Sequence, residues 1–292
     1  MKIFVKKVNG FTDSKSGGNP AGVLLNSPEL TDSQMAFITK FLNVSETAFV
    51  FASNIADYKV RFFTPSIEVE LCGHGTIATF FTMAKEGYFP NNKNITVSQE
   101  TKAGVLPVDI DFKENGEISK VMMTQGKPIL KDIYLDILEI ADSLGLSKDE
   151  IDSSLPKQAV STGLFTLPIC IKSFDVLKNI KPDFEKIKKI CIKHNFGSYH
   201  LFTFDTLEPK SVYHARNFAP VYAVNEDPVT GTANGAVCSY LLKNKIISEN
   251  KLVCEQGDII GRSGRVIVEI ENDIVKVGGR AKFDKEIEID LE

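Results

Sequence analysis

Glu46 is the residue whose setting most suggests chemistry. It lies in Val44-Ser45-Glu46-Thr47-Ala48-Phe49-Val50, where strand alternation places it on the face shared by Val44, Ala48 and Val50. A carboxylate on an otherwise apolar face that lined a ligand cleft would be desolvated. Its pKa would then rise, letting it serve as acid and base near neutral pH. The alternative is an edge-strand glutamate turned to water. Asp227, directly before Pro228, is a second acid, either chemical or a turn-former accepting local backbone hydrogen bonds.

Gly73 and Gly231 each sit where a strand passes into an apolar helical stretch. The first N–H groups of such a helix have no partner within it, and its positive end attracts anions. If the two helix ends met across one cleft, they could hold a carboxylate and a developing enolate-like oxygen, the electrostatics that proton abstraction needs. Either glycine could instead serve only a tight turn or close packing. His74, one residue into the first helix, would be kept neutral by the same positive end, or it simply packs. Cys72 is either a nucleophile or base of lowered pKa or a small buried apolar side chain.

The elements that must position these residues come in two copies. Arg61-Phe62-Phe63-Thr64-Pro65 returns as Arg216-Asn217-Phe218-Ala219-Pro220, 155 residues later, and Gly73 returns as Gly231 after 158. After each glycine turn the chain is apolar nearly all round, over 76–84 and 235–242, as a buried helix is. Short strand candidates surround both, among them 2–8, 47–52, 58–63, 199–204 and 212–217. Outer helices are expected at 35–42, opened by a Thr31-x-x-Gln34 capping box, and at 135–144 and 184–193. The pattern predicts an α+β fold of two pseudo-symmetric half-domains, each a curved, mostly antiparallel sheet rolled around a central helix. The break falls near Pro128, giving halves 1–128 and 129–279. Lacking a Gly/Ser-rich linker, the halves are expected to pack together with the ligand site between them.

Composition narrows the function. The 292 residues are 43% hydrophobic and 25% charged, with a formal charge of −4 and no long Lys/Arg run, which argues against nucleic acid as a partner. No apolar run approaches membrane-spanning length, and the apolar stretch at 3–5 is too brief for a signal-peptide core, so a cytoplasmic protein with no membrane partner is expected. Five scattered cysteines form no C-x-x-C, and four histidines lack close ligand spacing. Neither a disulfide framework nor a metal site is expected.

Five ordered motifs, Asn19-Pro20-Ala21-Gly22-Val23, Ser45-Glu46-Thr47-Ala48-Phe49, Arg61 to Pro65, Cys72-Gly73-His74-Gly75 and Glu226-Asp227-Pro228-Val229-Thr230-Gly231, span most of the chain. Together they resemble the PhzF-like isomerases. The resemblance implies the diaminopimelate-epimerase-like fold, with a C-terminal strand at about 280–292 joining the first half. It implies Glu46 as the catalytic acid/base, His74 and Asp227 beside the substrate, and Gly73, Gly231 and Thr232 as substrate-binding positions. It further implies a homodimer and a cofactor-independent proton shift on a small carboxylate similar to trans-2,3-dihydro-3-hydroxyanthranilate. Thr232 departs from the serine usual there; its added methyl narrows the pocket while keeping the hydroxyl. Two other readings stand beside this one. The first is a cysteine-dependent amino-acid epimerase or racemase of the same fold, in which Cys72 would lack a thiol partner because Thr230 holds the matching position. The second is a binding or regulatory protein without turnover.

Overall fold

The computed structural model describes residues 1–91 and 93–291. It divides into two compact units, Met1–Thr124 with Gly278–Glu292, and Gln125–Val277. The fold is α+β, with a curved, largely antiparallel sheet and a buried helix in each unit.

In the first unit the strands are β1 (Lys2–Gly10), β2 (Asn19–Leu24), β3 (Glu46–Phe51), β4 (Tyr58–Phe63), β5 (Glu68–Val69), β6 (Ile95–Thr101), β7 (Gly104–Phe112) and β8 (Ile118–Thr124). The C-terminal strand, Ala281–Asp290, runs antiparallel to β1, and β1 runs antiparallel to β2. β2 and β3 are parallel, with Ala21 opposite Glu46, and β3 and β4 are antiparallel, with Thr47 opposite Phe63. β4 then pairs in parallel with β6, which continues antiparallel through β7 to β8.

Helix α1 (Asp32–Leu42) is opened by the capping box expected from Thr31 and Gln34. It places Met35, Ile38 and Leu42 in an outer core with Phe49 and Phe63. Helix α2 (Gly73–Lys85) is buried on nearly every side and touches β1, β2, β3, β7, β8 and the C-terminal strand, so the sheet curves around it. A helix apolar all round can be stable in water only when so enclosed.

The second unit repeats the ladder. Its strands are β9 (Ile129–Asp132), β10 (Gln158–Ser161), β11 (Phe165–Cys170), β12 (Ser198–Thr203), β13 (Tyr213–Ala219), β14 (Val224–Asp227), β15 (Lys251–Gln256), β16 (Gly264–Glu271) and β17 (Ile274–Gly279), the last running past the end of the unit. Its helices are α3 (Ile137–Leu144), α4 (Phe174–Asn179), α5 (Phe184–His194) and the central α6 (Gly231–Lys243). β11 and β12 are parallel with Thr166 opposite Ser198, β12 and β13 antiparallel with Tyr199 opposite Phe218, and β13 and β15 parallel. Ser198 therefore holds in this unit the register position that Glu46 holds in the first.

The repeated arginine has a structural task. Nε and Nη2 of Arg61 grip both carboxylate oxygens of Glu68 at 2.9 and 2.8 Å, and the same atoms of Arg216 grip Glu226 at 2.8 Å each. Each guanidinium also lies over the phenylalanine two residues on, 5.0 Å from the Phe63 ring centre and 4.8 Å from that of Phe218. The fork fixes the short return strand, β5 or β14, that leads into the central helix of its unit. Both return strands escape a reading of hydrophobic period because they are short and polar. So does β9, which occupies the stretch read as a domain junction, and so does α4, only six residues long. Among the described residues no helix is long and apolar enough to cross a membrane.

Arg216 and Glu226 are largely buried. Arg216→Ala is expected to lower stability by about 3–5 kcal/mol because it strands a carboxylate, and adding Glu226→Ala should restore part of that. Denaturant unfolding followed by circular dichroism measures both. A loss no larger than that of an exposed pair, about 1 kcal/mol, would show that the fork does not hold the return strand.

Candidate active site

The first unit gathers four functional side chains where β3 begins and α2 starts. Cys72 is the N-cap of α2, and its sulfur accepts the Gly75 N–H at 3.3 Å. His74, two residues on, is buried, with Nδ1 3.5 Å and Nε2 3.8 Å from that sulfur. Nε2 also lies 3.3 Å from the Ser45 hydroxyl and 3.2 Å from Oε2 of Glu46. Glu46 keeps 22% of its side chain exposed, beside buried Val44 and Ala48. Its Oε2 is close enough to His74 for an ion pair yet not aligned with the ring N–H for a hydrogen bond.

Backbone fit separates the two glycines here. A side chain on Gly75 would press within 3.0 Å of the Cys72 sulfur and 3.1 Å of the Phe62 ring, so close packing demands glycine there. A side chain on Gly73 would meet nothing nearer than the Met123 sulfur at 3.7 Å, and Gly73 has no positive φ. Neither turn nor packing requires glycine at 73. What its bare backbone provides is access to the first amides of α2, which favour an anion.

Charge in this cluster runs opposite to the expectation from sequence. Burial alone would raise the Glu46 carboxyl, but His74, with help from Ser45, holds it below the ordinary value of 4.5. Burial alone would lower the His74 imidazole, but the Cys72 sulfur and the Glu46 carboxylate lift it well above 6.5. The Cys72 thiol is pushed up by burial, against the pull of His74 and the Gly75 amide, so it is a poor thiolate source near neutrality. Of the two neighbours of His74, the Cys72 sulfur raises it more and the Glu46 carboxylate adds to the shift. In place of the expected neutral histidine and raised glutamate, both groups shift toward their charged forms, because an acid and a base buried together stabilise each other's charge.

The signs follow from the directions. Glu46, lowered on folding, contributes stability that is present above about pH 4.5 and fades as the pH falls through its depressed value. His74, raised on folding, contributes stability that is present below about pH 6.5 and fades as the pH climbs through its elevated value.

In the second unit Thr230 is the N-cap of α6. Its hydroxyl donates to Oδ2 of Asp227 at 2.5 Å, and its N–H donates to Oε1 of Gln256 at 3.1 Å. Gln256 returns a bond to the Asp227 carbonyl at 2.9 Å, while Asn234 binds both the Thr230 carbonyl and Gln256 Oε1 at 2.8 Å. The Thr162 hydroxyl donates to the Thr232 carbonyl at 3.2 Å. The methyl of Thr232 reaches toward Gly163, where a side chain would meet it at 3.3 Å. Glu46, Gly73 and His74 thus come together in the first unit, and Asp227, Gly231 and Thr232 in the second.

Sequence reasoning did not find Ser45, Gln256 or Asn234 as partners in these sets. Asn234 carried a faint signal, a polar residue four positions after Thr230 on a helix apolar all round. Gln256 carried none, since only strand pairing brings it there.

His74 offers a direct check. Its ring is expected to titrate above the ordinary histidine range, and its midpoint should fall in Glu46→Gln, as followed by NMR of the ring carbon-bound protons. A midpoint that does not move on that substitution would mean that Glu46 does not hold the imidazolium.

A family described as phenazine biosynthesis-like protein, PhzC-PhzF, matches residues 8–286. The chain is 36% identical over 281 residues to the uncharacterized isomerase YfhB of Bacillus subtilis, covering 96% of this chain and 93% of that one. A crystal structure of a PhzF-family phenazine biosynthesis protein from Bacillus anthracis superposes with a TM-score of 0.90 at 34% identity, over 100% of both chains. A hydroxyproline epimerase from Agrobacterium vitis, solved with trans-4-hydroxy-L-proline bound, shares the fold at a TM-score of 0.62 and 12% identity, covering 99% of this chain and 91% of that one.

Proposed function

Because the chain belongs to the phenazine biosynthesis-like PhzC-PhzF family and is an isomerase, we propose that it moves a proton between carbon atoms of a small carboxylate metabolite, with Glu46 as the acid/base. The observation that carries this reading is the 3.2 Å approach of His74 Nε2 to the partly exposed Glu46 carboxylate. The partly exposed carboxylate can reach a ligand while the imidazole beside it orients it, the positioning that a general base needs.

The steps balance without an oxidant or reductant. Glu46 removes a proton from a carbon next to an electron-withdrawing group, and the electron pair left behind spreads into an enolate-like oxygen. The same carboxyl group then returns the proton to another carbon of the conjugated system, so the composition of the substrate is unchanged. His74 sits where it can hold the carboxylate ionised and in place. The start of α2 at Gly73 offers an anion site near that base, and the start of α6 at Gly231 offers another beside Asp227 in its own unit.

Two observations weigh against the cysteine-dependent epimerase reading. Burial raises the Cys72 thiol, and the corresponding cap of α6 is Thr230, whose hydroxyl is far too weak an acid to match a thiol. A related fold in a hydroxyproline epimerase does not supply the missing sulfur.

Proton NMR in D₂O of the purified protein with trans-2,3-dihydro-3-hydroxyanthranilate and a panel of cyclic and α-amino acids tests the reaction class. A carbon-bound proton should exchange or migrate in at least one compound, and Glu46→Gln should slow that event by roughly 10²–10⁴-fold, the usual worth of a positioned acid/base. Exchange that survives the substitution undiminished would remove Glu46 from the mechanism.

A further inference from the structure

Among the described residues, Glu46, Cys72 and His74 are the one group of three whose carboxylate oxygen, sulfur and ring nitrogen all lie within 4.8 Å of one another. We propose that these three side chains form a binding site for a sulfur-seeking divalent cation of the Zn²⁺ type, and that the cation blocks proton transfer by occupying Glu46. The binding stands on geometry alone, whereas the block rests on reading Glu46 as the acid/base.

The donor set is suited to such an ion. One thiolate, one imidazole and one carboxylate are ligands that zinc accepts, and three protein ligands with a vacant fourth position is the arrangement of its open sites. With Zn–S of about 2.3 Å and Zn–N and Zn–O of about 2.0–2.2 Å, a tetrahedral ion needs neighbouring donors roughly 3.3–3.6 Å apart. Here His74 Nε2 is 3.2 Å from Glu46 Oε2 and 3.8 Å from the Cys72 sulfur. All three ligand atoms lie within 4.8 Å of one another, so the side chains would close by up to about 1 Å on a bound ion.

Glu46 Oε2 is buried 3.2 Å from His74 Nε2, so an ion placed between them would meet both ligand atoms at once. The positive end of α2 opposes a cation, but a thiolate and a carboxylate together bring two negative charges. Binding releases two protons to solvent, one from the Cys72 thiol, which a coordinating ion deprotonates outright, and one from the His74 imidazolium. The sequence hides this set because Cys72-x-His74 is not a familiar ligand spacing and Glu46 arrives from a different strand.

A second sulfur pair must be told apart from it. Cys238 and Cys254 lie 3.4 Å apart, wholly buried, in the second unit. Substituting Cys72 leaves that pair untouched and so identifies the site.

The experiment adds Co²⁺, a spectroscopic stand-in for zinc, to the full-length protein in a non-chelating reductant, followed by Zn²⁺ as competitor. The wild type should take up one equivalent with a thiolate-to-cobalt charge-transfer band in the near ultraviolet, and Zn²⁺ should displace it. Cys72→Ser keeps a good helix cap and should abolish the band. Glu46→Gln, which leaves the sulfur in place, should weaken zinc by at least the 10–100-fold that loss of even an outer-shell partner costs. A wild type that shows no band, or a band that persists in Cys72→Ser, overturns the site. Because binding is read without substrate, its failure and the failure of the isomerase reading are separate outcomes. Where a substrate is in hand, Zn²⁺ should inhibit the wild type over the concentrations at which it displaces Co²⁺, and a chelator should restore the activity.

Discussion

The pairing of Glu46 with His74 is the interaction on which the chemistry of the first unit depends. Burial alone would shift each group toward its neutral form. Held 3.2 Å apart, each shifts the other toward its charged form, with the Cys72 sulfur adding to the shift of His74. Much of the surrounding structure maintains that approach. The β2–β3 pairing presents Glu46 at the start of its strand, the Cys72 cap sets the first turn of α2, and Phe62 packed on Gly75 fixes how that helix meets the sheet.

The scaffold comes twice, but a carboxylate in the Glu46 position comes once. Both units carry the same ladder, the same arginine fork and a glycine-started central helix. At the register position of Glu46, however, the second unit has Ser198, whose hydroxyl is engaged with Thr166. Its own carboxylate, Asp227, instead lies at the foot of α6, bonded by Thr230 with Gln256 behind it. The architecture is thus repeated while the side chains at matching positions differ.

Much of this was legible in sequence for physical reasons. The repeated Arg-x-Phe stands out because the fork and its ring contact need those residue types at that spacing. The central helices stand out because enclosure removes the need for a polar face, and Thr31 and Gln34 announce the cap of α1. Glu46 was recognisable as a carboxylate on an apolar face. The direction of its charge was not, since sequence shows that an acid is buried but not which base lies opposite. The short strands 68–69 and 224–227 were hidden as well, being held by a fork and a partner strand and not by their own hydrophobic period.

The state of the Glu46 carboxyl group in the resting protein tests this account most directly, and ¹³C NMR of protein labelled at glutamate carboxyl carbons, with Glu46→Gln to assign the signal, reads it. Glu46 should appear ionised at pH 7 and remain so on acidification past the ordinary glutamate value of about 4.5, for as long as the protein stays folded. A Glu46 signal already protonated at pH 7 would contradict the ion pair and restore the picture of an isolated, desolvated acid.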